Sequence, residues 1–88
     1  LAELLKAEPG LRVALVGHTD AVGSLDANTA LSRRRAEAVR DRLVESYDVA
    51  PDRLEARGAG YLAPRDSNLT EAGREQNRRV EVVVLSVQ

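Results

Sequence analysis

The stretch "LRVALVGHTDAVGS", Leu11–Ser24, decides how this chain folds. Leu11, Val13 and Leu15 fall on one face of an extended segment, and Ala14 and Val16 on the other. Only Arg12 is polar before the strand runs out. A strand apolar on both faces belongs in the middle of a sheet covered by helices. It leads into the sole histidine, then Thr19 and Asp20, and a polar loop to about Asp26. Asp20 can be read there as a turn residue, a metal or catalytic carboxylate, or half of a ligand site.

Upstream, residues 2–8 read as helix and stop at the breaker pair Pro9-Gly10. Downstream, Asp26 or Asn28 is placed to cap a long helix over about 27–46. Stepping that helix at about 100° per residue from Leu31 gives an inward arc of Leu31, Ala38, Val39, Leu43 and Ala36. Arg33 and Arg40 point away from the arc and Arg34 borders it. Arg35, at about 40°, and Arg42, at about 20°, fall inside it. Arg42 is near the helix end, where its stem can snorkel to water. Arg35 lies deeper, close to the loop of Asp20. Asp48 to Asp52 is a turn, with Pro51 opening a short helical turn. "RLEARGAG" is a strand, "YLAPRDSNLT" a loop and "TEAGREQN" a short helix weakened by Gly73. "RRVEVVVLSVQ" is a last strand, with Val80, Val82 and Val84 on one face and Glu81, Val83 and Leu85 on the other. The alternation is that of an α/β fold with helices packed on a sheet.

The 88 residues make a single small domain, 1–88. Without cysteine there is neither a disulfide framework nor a thiolate metal site. A net charge of -1 argues against a general affinity for phosphates, which grows with excess Lys and Arg. With no Phe or Trp and only two Tyr, there are no platforms for stacking bases. No apolar run reaches the ~20 residues of a membrane-spanning helix. The first ten residues read as the back half of a helix and lack a methionine, so we expect a piece of a longer protein. The absence of a leader or anchor then says nothing about compartment.

Each kind of chemistry has a plain competitor. His18 and Asp20 offer two metal ligands with no second cluster to complete a shell. No G-x-S-x-G elbow accompanies Ser24 or Ser32, so no nucleophile is prepared and we expect no enzyme. The arginines of "SRRRAEAVR" fan around the helix axis and alternate with glutamates, as on a solvated face with pairs such as Arg33–Glu37. Nucleic acid is therefore not an expected partner. An inward Arg35 needs an anion. Asp20 can supply it in an internal salt bridge on a protein–protein or oligomerisation module. Alternatively, both groups stay open in a pocket, where carboxylate and guanidinium complement a zwitterion such as an amino-acid head group.

"GHTDAVGS", the following Asn28, "LSRRRAEAV", "RLEARGAGYLAP" and "GREQNRRVEV" together resemble the OmpA C-terminal-like domain family, over roughly Val13 to Val83. That family includes peptidoglycan-associated lipoproteins and flagellar stator domains of MotB type. The resemblance implies a βαβαβ-type sandwich, a mixed sheet packed by helices. It implies non-covalent binding of the peptidoglycan stem peptide through meso-diaminopimelate, anchoring a larger envelope protein to the cell wall on its periplasmic side. Neither a cofactor nor a metal is implied. On that likeness Asp20 and Arg35 grip the diaminopimelate head group. Thr19, Asn28 and Leu31 line the pocket, and Asn77, Arg78 and Arg79 lie near the same end of the sheet. Which of the two arginines faces the ligand stays open. Gly17, Gly23, Gly58, Gly60 and Gly73 match turn positions. Two departures stand out. The family begins with a strand before its first helix, and this chain starts inside that helix. The expected sheet therefore lacks its first strand and has an edge able to recruit a second copy as a homodimer. The glycine that usually closes the long helix is also absent, and Asp48 is placed to take the left-handed conformation itself.

Overall fold

The computed structural model describes residues 1–87. Helix α1 (Ala2–Ala7) is followed by strand β1 (Leu11–His18), helix α2 (Leu25–Tyr47) and a 3-10 turn (Pro51–Arg53). Strand β2 (Leu54–Gly58), helix α3 (Glu71–Asn77) and strand β3 (Arg79–Val87) complete the order. The sheet runs β2-β1-β3, with β1 parallel to β2 and antiparallel to β3. β1 is thus the central strand its two apolar faces require, and the architecture is a mixed-sheet α/β fold. Among the described residues the sheet has three strands.

The apolar core holds Leu5, Leu11, Val13, Leu15, Ala36, Leu43, Val49 and Leu54. It gathers at the N-terminal half of β1, beneath the C-terminal half of α2. Arg53 ties α1 to this end by donating to the carbonyls of Leu5, Glu8 and Leu11. These include carbonyls that the end of α1 leaves unpaired.

Four details differ from the expectations. Ser24 caps α2, its hydroxyl accepting from the Ala27 N–H at 3.1 Å, so the helix starts before Asp26 and Asn28. The buried stripe of α2 is Asn28, Ser32, Ala36 and Leu43, which centres it about 100° from Leu31 rather than on it. Ala38 and Arg35 fall outside that stripe and are exposed, and Val39 is exposed although its angle lies within it. Arg40 points inward, donating to the carbonyls of Leu54 and Pro51 at 3.0 Å each. Lastly, Gly17, Gly58 and Gly73 are packing positions rather than turns. A Cβ on Gly17 would collide with the Ser32 carbonyl, one on Gly58 with the backbone of Thr29 and Arg33, and one on Gly73 with the Ser67 carbonyl. Only Gly23 and Gly60 have the positive φ of true turn glycines, at 93° and 56°. Asp48 does take the left-handed conformation, φ 55°, at the end of α2.

Candidate ligand-binding site

The two strand glycines let the backbone of α2 lie directly on β1 and β2. That contact brings the first turns of the helix against the end of β1. The Thr19 N–H donates to the Gly60 carbonyl at 2.8 Å, which fixes where the loop leaves the sheet. The antiparallel register pairs His18 with Arg79, so the residue just before β3 lands beside the residues just after β1. Arg78 therefore meets Asp20 across a long stretch of sequence.

A cavity of about 350 Å³ opens at this end, lined by Thr19, Asp20, Val22, Asn28, Leu31, Arg35, Glu71, Arg74 and Arg78. Asp20 accepts from the Val22 N–H through Oδ1 at 3.0 Å and from Arg78 Nη1 through Oδ2 at 2.7 Å. Arg78 also donates to Glu71, whose other oxygen accepts from Arg74 Nε at 3.1 Å. Asp20 is held below the usual carboxylate range, first by the Arg78 hydrogen bond and next by the Val22 N–H. Glu71 is likewise lowered, by Arg78 and then Arg74. Asn28 shapes the wall by donating to the carbonyls of Val22 and Ser24 at 2.8 and 2.9 Å.

Arg35 is placed differently from the salt-bridge expectation. Its side chain is exposed at the cavity wall, and among the described residues it pairs with no carboxylate. The internal Asp20–Arg35 ion pair on which the interaction-module reading depended is not formed. Arg78 occupies Asp20 instead.

Of the eight residues singled out, Asp20, Arg35, Thr19, Asn28, Leu31 and Arg78 line the cavity. Asn77 and Arg79 do not. Asn77 is fully buried and organises the loop before α3, accepting from the N–H groups of Arg65 and Asp66 and donating to Asn68. Arg79 turns away to Glu81 and to the carbonyls of Ala63 and Asn77. Val22, Glu71 and Arg74 were not anticipated. Glu71, Arg74 and Arg78 follow a three-four spacing that puts them on one face of α3 and its cap, which was the available signal.

His18 is 4% exposed with neither ring nitrogen hydrogen-bonded. Its Nε2 lies 3.4 Å from Glu81 Oε1. Burial, and then the charge of Arg79, push its pKa down, outweighing Glu81. It supports the strand end and does not line the cavity. Among the described residues no group of three or more potential metal ligands is found, and no helix is long and apolar enough to cross a membrane.

The model of the OmpA family matches residues 1–78. Outer membrane porin F of Pseudomonas aeruginosa is 46% identical over 84 residues, which cover 96% of this chain and 24% of that protein. Peptidoglycan-binding protein ArfA of Mycobacterium tuberculosis is also 46% identical over 84 residues, covering 96% of this chain and 26% of that protein. The chain thus spans about a quarter of the length of these relatives. The crystal structure of the peptidoglycan-associated lipoprotein from Burkholderia pseudomallei superposes with a TM-score of 0.87 at 36% identity, covering 96% of this chain and 70% of that one.

Proposed function

This chain belongs to the OmpA family, and from that premise we propose that it binds the peptidoglycan stem peptide non-covalently and anchors a larger envelope protein to the cell wall. The ligand head group is the zwitterion of meso-diaminopimelate. Its carboxylate meets Arg35 and its ammonium meets Asp20. The chain acts as one binding domain and carries out no chemical step. The relative named for peptidoglycan binding supports the partner, and the outer-membrane relative supports the compartment. The observation that carries the residue assignment is Arg35. A guanidinium at the wall of the same cavity as Asp20, with no carboxylate of its own, is available for bidentate capture of a ligand carboxylate.

The test separates binding from folding. Arg35 is exposed and unpaired, so Arg35→Ala should change stability by no more than ~0.5 kcal/mol. Asp20→Ala removes one partner of Arg78, which keeps Glu71, and a partly exposed pair contributes only ~1 kcal/mol or less. Both variants are expected to keep the wild-type circular dichroism spectrum and to lose co-sedimentation with purified sacculi. Sedimentation of both at wild-type levels would refute the assignment. A second-copy contact is also proposed, at the outer edge of β3, where Val82, Val83 and Val84 are exposed.

A further inference from the structure

The loop that carries Asp20 is tied to the rest of the chain by bonds of different kinds. At its root the Thr19 N–H donates to the Gly60 carbonyl at 2.8 Å. Asp20 itself is held by the Arg78 ion pair at 2.7 Å. One residue further on, the Ala21 N–H donates to Oδ1 of Asn68 at 3.2 Å. Asn68 stands outside the cavity lining, in the loop between β2 and α3. Its orientation is fixed by groups that can only donate. The N–H groups of Arg65 and Asp66 point at Oδ1 of the fully buried Asn77, at 2.7 and 2.9 Å. Asn77 is left to present its Nδ2, which donates to the Asp66 carbonyl and to Asn68 Oδ1 at 2.9 Å each. Asn68 therefore turns its oxygen, not its amide nitrogen, to both Ala21 and Asn77. Its main-chain carbonyl accepts from Arg74 Nη1 at 3.0 Å. One residue outside the cavity thus joins the Asp20 loop to Asn77 and to an arginine of the wall.

The ion pair weakens when it is needed. A cation that reaches Asp20 shares the carboxylate with Arg78, and salt screens what attraction is left. The bond from Ala21 to Asn68 is neutral and made through the main chain, so neither event removes it. Resting on the Asp20 assignment above, we propose that Asn68 is a positioning residue: it latches the Asp20 loop to the α3 side of the cavity and keeps the carboxylate in place while a ligand draws it from Arg78. The acceptor oxygen alone does this. Among the described residues the Asn68 side chain makes hydrogen bonds only through that oxygen.

A pair of near-isosteric variants separates the oxygen from the bulk of the side chain. Asn68→Asp keeps an acceptor for Ala21 and Asn77, whereas Asn68→Leu keeps the size and removes it. Each full chain is titrated with purified sacculi at a temperature where circular dichroism shows it folded, and amide exchange is followed by NMR. Asn68→Leu should sediment about fivefold more weakly than wild type, as expected for one neutral hydrogen bond. Its Ala21 amide should exchange faster by about the same factor. The deficit should widen as salt is raised, because the screened Arg78 pair is then the remaining tie beyond the root of the loop. Asn68→Asp should restore binding and exchange to within about twofold of wild type. A merely structural Asn68 would lower the melting temperature of Asn68→Leu but leave Ala21 exchange and sedimentation of the folded chain unchanged, which would overturn the assignment. An equal loss in Asn68→Asp would also overturn it, since the oxygen would then not be the group that matters. A wild-type chain that fails to sediment would overturn the ligand reading instead, and Ala21 exchange in the three chains would still decide the latch.

Discussion

His18 sets how this protein responds to mild acid. It is buried, its ring nitrogens lack hydrogen bonds, and its pKa lies below the ordinary 6.5. The unfolded chain therefore takes up a proton at a pH where the folded one resists it. Stability from this residue is complete above the ordinary value and falls as pH drops below it. Asp20, Glu71 and Glu81 are also lowered, by Arg78, Arg78 and Arg79 respectively. Their contributions are complete above the ordinary carboxylate range and fade as pH falls through it. We expect the urea midpoint to drop between about pH 7 and pH 5, and again below about pH 4. His18→Gln should flatten the first step and keep the second. A wild-type midpoint that is flat from pH 7 to pH 5 would contradict a neutral buried histidine. At this scale the sequence marked Asp20 and Arg35 correctly as groups near one loop. The competing reading, a direct ion pair between them, is not met, because a helical wheel fixes angles within a helix and not the rotation of that helix on the sheet.

At the scale of elements, the contact between α2 and β1 builds the site. Near the site, that contact is made of Gly17 and Gly58 on the strands and of Thr29, Ser32 and Arg33 on the helix. These are small or polar residues with little area to bury. Close backbone approach, rather than a large apolar contact, decides where Arg35 and Asn28 sit relative to Asp20. Gly17→Ala should force the helix outward. Overpacking of this kind costs ~3 kcal/mol when the obstacle is backbone, and the same variant should lose sacculus binding although it touches no lining residue. Thermal denaturation with a sedimentation assay checks both. Full binding by a normally stable variant would show that the helix can give way. The glycines were visible in the sequence, but a strand glycine looks the same whether it turns the chain or admits a helix. Only the neighbour at that position tells them apart.

Across the whole molecule, folding and binding occupy opposite ends of β1. Leu5, Leu11, Leu43 and Leu54 pack at one end, and the charged cavity opens at the other. This is why site substitutions are expected to spare the fold. The exposed surface of β3 belongs to this scale too. α2 lies across β1 and β2, so Val82, Val84 and Leu85 remain 46%, 55% and 44% exposed on a strand with an unpaired edge. Sedimentation velocity should show association that grows with concentration, and the double variant Val82→Lys, Val84→Lys should abolish it, since edge lysines oppose strand pairing. Concentration-independent monomers of the wild type would reject the second-copy contact. The order of elements and the central place of β1 were legible in the sequence. These follow from local periodicity, breakers and backbone preference, which act over a few residues. The tertiary structure alone decided that Arg78 rather than Arg35 holds Asp20, that Arg79 turns away, and that Glu71 and Arg74 complete the wall. Those outcomes depend on strand register and on the rotation of α2, which are set by contacts between residues far apart in the chain.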